Sequence, residues 1–449
     1  MKKLFGTDGV RGIANKELTP ELAFQLGKAG AYVLTKNTAN APKVLVAKDG
    51  RRSGDMLEAA LTAGLCSIGA EVFQCGVVPT PAVAYLIKKH NFDAGVMISA
   101  SHNPMEDNGI KFFDSHGLKL SDLLEEEIEA LIASKDDLPR PTGADVGVVK
   151  NCPEAPDDYA SFIVSTAPNL QLKGMKIALD CANGATSKVA PLIFKMLGAE
   201  VHTLHNSPDG CNINANCGST HMESITDFVV SNNMDIGLAF DGDGDRMLAV
   251  DETGKMIDGD IIMAVCGLDL HERGQLKNNT IVATVMSNQG LGVFCREHNI
   301  TLHRTAVGDR YVLEKMLADD LVLGGEQSGH TIFRKFNTTG DGILAGVQLL
   351  SVLHRRKKSI SQLAKTIEIF PQVLINAKVS GSRMAEFETC AKIKKAQAEI
   401  EATLTADERI LVRPSGTEPL IRVMIEGRDI DQITKWAQDL VNAIEKNLG

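Results

Sequence analysis

Short apolar runs of strand length alternate with helical patterns over most of this chain, from about residue 13 to residue 365. The runs KVLVA (43–47) and AGVMIS (94–99), for example, lie on either side of a helical stretch from residue 53 to residue 67. Parallel strands need such crossover connections, so the alternation is typical of repeated βα units. The sequence therefore predicts an α/β fold with mixed, mostly parallel sheets.

The chain has 449 residues, which is too long for one compact core. Residues 135–156 are rich in Asp, Pro and Gly and lack an apolar period, which predicts a linker. After residue 372 the pattern changes to three strands and two helices, which is typical of a small α+β domain. We therefore predict three similar α/β domains and a smaller C-terminal one, at residues 1–150, 151–252, 253–366 and 367–449.

Charge and composition exclude several classes of function. The formal net charge of -10 argues against a broad basic face for nucleic acid or an anionic membrane. No apolar stretch approaches the roughly 18 residues of a membrane span. The start of the chain is basic, but no apolar run follows it, and the nine cysteines are scattered. We expect a cytoplasmic protein with reduced thiols, a small-molecule ligand, no nucleic-acid or membrane partner, and a homodimer as the candidate assembly.

The motif DGDGDR places Asp241, Asp243 and Asp245 directly after the apolar strand DIGLAF. Three carboxylates this close repel one another unless a hard cation neutralises them, and the intervening glycines let the backbone turn all three toward one point. An EF-hand loop would need glycine where Arg246 stands. A metal site is favoured over a solvated acidic turn. A phosphatase that uses Asp241 as nucleophile stays open as a rival.

The motif SASHNP ends another predicted strand and presents Ser101 and His102 in a turn. Ligands of open α/β sheets bind at the carboxyl ends of strands, so Ser101 is a candidate nucleophile. A plain turn that caps local backbone groups is the alternative. A Ser-His hydrolase is less favoured because the chain has no G-x-S-x-G motif. Lys111, in the strand that follows, is either a donor to the reacting oxygen or a solvated charge.

Two further loops carry groups suited to a sugar phosphate. In GGEQSGH, a carboxylate and a hydroxyl between glycines suit vicinal sugar hydroxyls; the candidates are Glu326, Ser328 and His330. In RPSGTEPLIR, charge, hydroxyls and backbone N–H groups suit a phosphate dianion; the candidates are Arg413, Ser415, Gly416, Thr417 and Arg422. Isolated basic candidates are Arg11, Arg51, Arg52 and Arg310, each of which alone is more often surface charge.

These four loops, in this order and spread over nearly the whole chain, closely resemble the alpha-D-phosphohexomutase superfamily. The resemblance implies four domains around a central cleft and transfer of a phosphoryl group through a phosphorylated Ser101. It also implies Mg²⁺ held by Ser101, Asp241, Asp243 and Asp245. The loop at residues 326–328 would grip sugar hydroxyls, and the loop at 413–417 would grip the phosphate that does not react.

The resemblance extends to the substrate and to the remaining catalytic groups. The opening FGTDGVRG, the motifs ISASHNP and GEQSGH, and the chain length favour an amino-sugar phosphate, with glucose and mannose phosphates as alternatives. Arg246 would help to neutralise the transferred charge. The candidates for proton transfer are His102, Lys111 and Arg11.

Overall fold

The computed structural model describes residues 4–6, 8–36, 41–134, 138–415 and 419–449. The chain forms two compact units. The larger unit comprises Met1–Met286 and Leu302–Ala364, and the smaller comprises Ser287–Thr301 and Lys365–Gly449. Four sheets of seven, five, four and three strands follow in chain order. The predicted fold class, α/β with a small C-terminal α+β part, is confirmed.

The first sheet of the larger unit is mixed. Its part of the chain contains β1 (Phe5–Gly6), β2 (Gly9–Ile13), α1 (Pro20–Thr35), β3 (Lys43–Lys48), α2 (Gly54–Cys66), β4 (Glu71–Val77), α3 (Thr80–His90), β5 (Ala94–Ile98), β6 (Asp107–Asp114), α4 (Asp122–Ser134), a 3₁₀ turn (Gly143–Asp145) and β7 (Val149–Asn151). The strand order is β1-β2-β6-β5-β3-β4-β7. The predicted linker contains β7, which pairs with β4 by its backbone while its side chains stay exposed. An exposed edge strand has no apolar period, so the sequence pattern missed it.

The second sheet carries the acidic loop at one strand end. Its elements are α5 (Ala155–Ser165), β8 (Lys176–Asp180), α6 (Thr186–Met196), β9 (Glu200–Leu204), a 3₁₀ turn (Gly218–Thr220), α7 (Glu223–Ser231), β10 (Ile236–Phe240), β11 (Met247–Asp251) and β12 (Met256–Ile257). The order is β12-β11-β10-β8-β9, with β8, β9 and β10 parallel. All five residues of β10 are buried, so the loop that follows it starts from a fixed strand.

The third sheet contributes a hairpin to the larger unit. Its part of the chain contains α8 (Gly259–Glu272), a 3₁₀ turn (Lys277–Asn279), β13 (Thr280–Thr284), α9 (Gln289–Glu297), β14 (Thr301–Thr305), α10 (Asp309–Ala318), β15 (Leu323–Gly325), β16 (Thr331–Phe333), α11 (Gly342–Arg356) and α12 (Ile360–Ala364). The order is β14-β13-β15-β16, with β15 and β16 antiparallel. Helix α9, although it lies between β13 and β14 in sequence, packs in the smaller unit.

The smaller unit is a three-stranded antiparallel sheet covered by helices. Its remaining elements are β17 (Gln372–Lys378), a 3₁₀ segment (Gly381–Thr389), α13 (Ala391–Glu401), β18 (Arg409–Pro414), β19 (Leu420–Glu426) and α14 (Ile430–Leu448). The order is β17-β19-β18. The buried Glu426 of β19 accepts the backbone N–H of Gln289 at 3.1 Å and an Arg409 N–H at 2.6 Å. A carboxylate at a helix N-terminus is favourable, so Glu426 helps to fix α9 on this sheet.

Two expectations from composition bear on the whole chain. No helix in the part of the chain that the structure describes combines the length and hydrophobicity that a membrane crossing requires. All nine cysteines are free thiols, and six of them are buried. Scattered, mostly buried thiols match the expectation from their spacing.

Candidate active site

The acidic loop brings its three carboxylates together at the end of β10. Asp241, Asp243 and Asp245 each offer one oxygen, and these oxygens lie within 4.8 Å of one another. Gly244 has φ +71°, a left-handed conformation that glycine adopts without strain. A Cβ on Gly242 would lie 2.6 Å from the Ser101 carbonyl oxygen. Glycine at both positions therefore allows the turn and its close contact with the Ser101 loop.

Electrostatics in this loop favour a bound cation. Burial, together with the neighbouring Asp245 and Asp243, raises the pKa of Asp241 well above its ordinary value. The Oδ1 atoms of Asp243 and Asp245 are buried and have no hydrogen-bond partner among the described residues. Oxygen ligands without partners in a cluster of like charges are what a hard divalent ion needs. The three aspartates therefore fit a metal site.

Ser101 lies against this loop. It follows β5 and is 1% exposed, and its φ of +53° is unusual for a residue other than glycine. Its Oγ donates to Asp241 Oδ2 at 2.6 Å, whereas the His102 Nδ1 is 3.5 Å away. The structure therefore brings together the serine and the acidic loop, which are 140 residues apart in sequence. It pairs the serine with a carboxylate rather than with a histidine.

The unusual backbone of Ser101 is held by side chains from two sheets. Arg51 donates to the carbonyl oxygens of Ser101 at 3.0 Å and of Asn103 at 2.8 Å. Asn214 donates to the same two carbonyl oxygens, at 2.9 and 3.0 Å. Arg51 is in turn paired with the buried Asp49 at 2.9 Å. The sequence suggested surface charge for Arg51, but this side chain is buried because it satisfies the carbonyl groups of the serine loop.

His102 and Arg246 contact each other beside the serine. An Arg246 Nη1 lies 3.1 Å from His102 Nδ1 and can only donate, so that ring nitrogen is an acceptor. Burial and the charges of Arg246 and Arg11 lower the pKa of His102 to about 4. The imidazole is therefore neutral near pH 7.

Two partly exposed arginines have buried N–H donors in this region. The Nε atoms of Arg11 and Arg246 are buried and have no hydrogen-bond acceptor in the described part of the chain. Arg11 forms an ion pair with Asp8, and both guanidinium groups act on the charge of His102. Buried donors without acceptors are rare in native proteins. They are suited to the oxygens of an anionic ligand such as a phosphoryl group.

Lys111 is held by two carboxylates from different parts of the chain. Its Nζ lies 2.8 Å from Asp243 Oδ2 and 2.9 Å from an Asp8 oxygen. Burial lowers the pKa of Lys111, but Asp243 and Asp8 outweigh this effect and the pKa is raised overall. Lys111 is therefore an ammonium donor and not a solvated charge.

Two further carboxylates, Asp8 and Asp309, were not predicted from the sequence. Lys119 bridges them, at 2.6 Å to each. Both lie in short glycine-containing motifs, GTDGVRG and VGDRY, from which only the arginines were selected. Of those arginines, Arg310 pairs with Asp122 and Glu314 and lies outside the carboxylate cluster. The glycine close to each aspartate was the sequence signal that could have identified Asp8 and Asp309 as site residues.

The predicted sugar loop lies between β15 and β16. Ser328 is exposed, and the partly exposed Glu326 accepts the Gly308 N–H at 3.2 Å. His330 is 2% exposed, with Nδ1 3.5 Å from Asp245 Oδ2 and Nε2 accepting the Gly340 N–H at 3.0 Å. The first two residues are accessible to a ligand. His330 is placed to orient Asp245 instead.

The predicted phosphate loop lies in the smaller unit. Arg413 of β18 and Arg422 of β19 are directly opposite each other, and both are partly exposed. The Ser415 N–H donates to the Leu420 carbonyl oxygen at 2.8 Å. Gly416 and Thr417 lie outside the described residues. Two guanidinium groups at one cross-strand position offer several N–H donors, so this pair suits an anion.

Four family models, all for the phosphoglucomutase/phosphomannomutase family, match the chain in order. Alpha/beta/alpha domain I matches residues 2–138, domain II 157–254, domain III 258–370 and the C-terminal domain 374–443. The chain belongs to the phosphoglucomutase/phosphomannomutase family. Each of the four candidate loops falls in a different one of the matched segments.

Close relatives match this family member over its whole length. A phosphoglucosamine mutase of Acetivibrio thermocellus is 56% identical, and the match covers 100% of both chains. Phosphoglucosamine mutases of Ruminiclostridium cellulolyticum and Thermoanaerobacter sp. are each 55% identical, again with 100% of both chains covered. The superfamily indicated by the sequence motifs is confirmed.

Solved structures share the fold at much lower identity. A phosphoglucomutase/phosphomannomutase family protein from Burkholderia thailandensis has a TM-score of 0.83 at 24% identity, with 99% of this chain and 98% of that one covered. An Aspergillus fumigatus N-acetylphosphoglucosamine mutase, in complex with GlcNAc-6P and magnesium, has a TM-score of 0.70 at 15% identity, with 99% and 96% covered. The family fold thus persists where most of the sequence has changed.

Proposed function

We propose that this protein interconverts glucosamine 6-phosphate and glucosamine 1-phosphate by passing a phosphoryl group through Ser101. The observation that carries the proposal is the 2.6 Å hydrogen bond from Ser101 Oγ to Asp241 in the carboxylate cluster. A nucleophile beside a metal-binding carboxylate set is the arrangement that phosphoryl transfer uses. Full-length relatives at 54–56% identity are phosphoglucosamine mutases, which supports the amino sugar.

In this proposal Mg²⁺ is the metal, and Asp241, Asp243, Asp245 and the phosphorylated Ser101 hold it. All are oxygen ligands, as Mg²⁺ prefers. When bound, the ion neutralises the charge of the phosphoryl group. The unpartnered Oδ1 atoms of Asp243 and Asp245 support the assignment.

The transfer consists of two displacements at phosphorus. In the first, O1 of glucosamine 6-phosphate attacks the phosphorus on Ser101; the Ser101 Oγ–P bond breaks and glucosamine 1,6-bisphosphate forms. In the second, Ser101 Oγ attacks the phosphorus on O6; that P–O6 bond breaks and glucosamine 1-phosphate leaves. Each attacking hydroxyl loses a proton and each leaving oxygen gains one. Because the second displacement returns a phosphoryl group to Ser101, the serine is phosphorylated again at the end.

The chain's own residues divide the remaining work in this mechanism. Arg11 and Arg246 donate to the transferred phosphoryl oxygens through the Nε atoms that lack acceptors. The Lys111 ammonium adds positive charge, 2.8 Å from Asp243. Of the groups predicted for proton transfer, His102 is neutral near pH 7, as a base must be.

Ligand binding is assigned to the two remaining loops. Glu326 and Ser328 are both accessible to a ligand, and we assign them to the sugar hydroxyls. The loop of Arg413, Ser415, Gly416, Thr417 and Arg422 binds the phosphate that does not react, because the two opposed arginines can donate charge-assisted hydrogen bonds to its oxygens. A product of this kind serves amino-sugar nucleotide and cell-wall precursor synthesis, so we place the protein in the cytoplasm. We propose no nucleic-acid or membrane partner and a homodimer as the candidate assembly.

Two alternatives are less favoured. Phosphoglucomutase or phosphomannomutase activity would use the same site, but the full-length relatives that are most similar here are named for the amino sugar. A phosphatase acting through Asp241 needs a free carboxylate oxygen in line with a phosphate. Asp241 instead accepts the Ser101 hydroxyl and the Arg246 N–H, at 2.6 and 3.1 Å.

The test is kcat/KM for glucosamine 6-phosphate, glucose 6-phosphate and mannose 6-phosphate, measured with Mg²⁺ on one preparation. The proposal expects the highest value for the amino sugar, by about tenfold or more, since a paired amino group discriminates strongly. Ser101→Ala should abolish all three activities. A preference for glucose or mannose would keep the mechanism and change the substrate, and activity that survives in Ser101→Ala would refute the mechanism.

A further inference from the structure

A cavity of about 930 Å³ lies in the larger unit, away from the carboxylate cluster. It is bounded by the end of α5, by α8 and α11, and by the outer end of the β15–β16 hairpin. None of the residues assigned above to catalysis, metal or sugar lines it. Its volume is at the upper end of the range for small-molecule sites, roughly 300 to 1,000 Å³.

The cavity is cationic in an otherwise acidic protein. Arg273, Lys335 and Arg355 line it, and among the described residues in its wall none is acidic. Behind the wall, the carboxylate of Asp269 binds Arg355 at 2.6 Å and Arg273 at 3.1 Å. One carboxylate cannot neutralise two guanidinium groups, so positive charge remains for a ligand.

One side of the cavity is apolar and aromatic. Phe333 and Leu170 are buried in its wall at 5% and 4% exposure, and Phe336 is partly exposed beside them. The Lys335 Nζ lies 5.6 Å from the centre of the Phe336 ring. A cation adjoining an aromatic surface suits a ligand that combines a flat ring with an anionic group. A hexose phosphate has no planar aromatic ring to lie on this surface.

A buried hydroxyl in the wall is also without a partner. Ser351 of α11 is 4% exposed, and its Oγ has no hydrogen-bond partner in the described part of the chain. A buried polar atom of this kind calls for a specific explanation. Because Ser351 lines the cavity, a ligand hydroxyl or carbonyl can supply the missing bond.

We propose that this cavity is a binding site for a nucleoside phosphate. The base lies on the apolar wall with Phe336, the phosphates bind Lys335, Arg273 and Arg355, and a ribose or base oxygen bonds Ser351. The combination of size, aromatic wall, excess positive charge and an unsatisfied hydroxyl carries the assignment. The site is independent of the mutase chemistry proposed above.

The experiment is isothermal titration calorimetry of the full chain with UDP and ADP as probes, and with uridine and inorganic pyrophosphate as half-ligands. At least one nucleotide should bind, and each half-ligand should bind at least about tenfold more weakly, since a bond to a charged group is worth that much or more. Lys335→Glu should weaken nucleotide binding by at least tenfold. The exposed position of Lys335 keeps this variant folded.

Two further variants sharpen the test. Arg355→Gln should weaken the same binding, and Lys150→Gln, which removes a positive charge outside the cavity, should leave it unchanged. Nucleotide binding at any other anion site should be retained in Lys335→Glu, so this variant distinguishes binding in the cavity from binding elsewhere. If neither nucleotide binds, or if Lys335→Glu binds them as tightly as the parent at an unchanged Tm, the proposal is wrong.

Discussion

The serine loop and the arginine loop differ in how firmly they are held. Ser101 is buried, the carbonyl groups of Ser101 and Asn103 are fixed by Arg51 and Asn214, and the Ser101 hydroxyl is bonded to Asp241. Arg413 and Arg422 are partly exposed on facing strands of the smaller unit.

The difference indicates two separate roles. Preorganised groups that cannot relax stabilise a transition state, whereas accessible side chains with many rotamers contribute mainly to ligand binding. Changes in the serine loop should therefore lower kcat, and changes in the arginine loop should raise KM.

The largest effect is expected from removing the nucleophile. Ser101→Ala should lower kcat by about 10⁴-fold or more while the protein stays folded, because no other group can carry the phosphoryl group. Steady-state assays and Tm measure both properties. Ser67→Ala, which removes a hydroxyl bonded only to a local helix carbonyl, is the control. Residual activity within tenfold of the parent would contradict the role of Ser101.

The next effect concerns the carboxylate cluster. Asp243→Asn should lower kcat by roughly 10²- to 10³-fold. A neutral amide holds a divalent cation less firmly than a carboxylate does, so the metal neutralises the phosphoryl charge less well. The Mg²⁺ concentration for half-maximal activity should rise. Asp55→Asn, whose carboxylate is exposed, should change neither value. An unchanged Mg²⁺ requirement in Asp243→Asn would remove this residue from the metal site.

The third prediction tests the support of the serine loop. Arg51→Lys keeps the charge but cannot reach all the carbonyl groups, so Ser101 should lose its fixed position and kcat should fall by about 10- to 100-fold. KM should stay within about threefold. The adjacent and exposed Arg52 offers a matched control, Arg52→Lys. A rise in KM at constant kcat would show that Arg51 acts on binding instead.

The smallest effect is expected in the arginine loop. Arg413→Ala should raise KM by about tenfold with little change in kcat, since a charge-assisted hydrogen bond contributes about 1.5 kcal/mol to binding. Arg383→Ala, which removes an exposed arginine paired with Glu386 in the same unit, is the control. A loss in kcat equal to the loss in kcat/KM would place Arg413 in the transition state and end the contrast between the two loops.

The parts of the fold and site that depend on local pattern were predictable from sequence. Strand β10 with its acidic loop, strand β5 with Ser101, and β18 and β19 around the arginine pair lie where the apolar runs indicate. In each case the buried run and the polar motif after it are contiguous in the chain. The three aspartates of the acidic loop could therefore be selected from the amino-acid sequence alone.

The rest depends on contacts between distant segments. Surface charge was the expectation for Arg51 because its acceptors are backbone carbonyl groups some 50 residues away, and carbonyl groups leave no mark in a sequence. Asn214 was not selected from the sequence for the same reason, since its acceptors are also backbone carbonyl groups of the distant serine loop. Glu426 helps to hold helix α9 on the C-terminal sheet because it accepts the first backbone N–H of that helix, a pairing across 137 residues.

The most direct test of the proposed phosphoserine mechanism is to locate the phosphoryl group on the enzyme. The protein is incubated with Mg²⁺ and glucosamine 1,6-bisphosphate whose phosphates carry ¹⁸O, then digested and mapped by mass spectrometry. A second sample is treated with excess unlabelled glucosamine 6-phosphate before digestion. We expect one acid-stable phosphate on the peptide containing Ser101, and we expect turnover of the unlabelled substrate to replace its ¹⁸O label with ¹⁶O. A hydroxylamine-labile acyl phosphate on Asp241, with Ser101 unmodified, would contradict it.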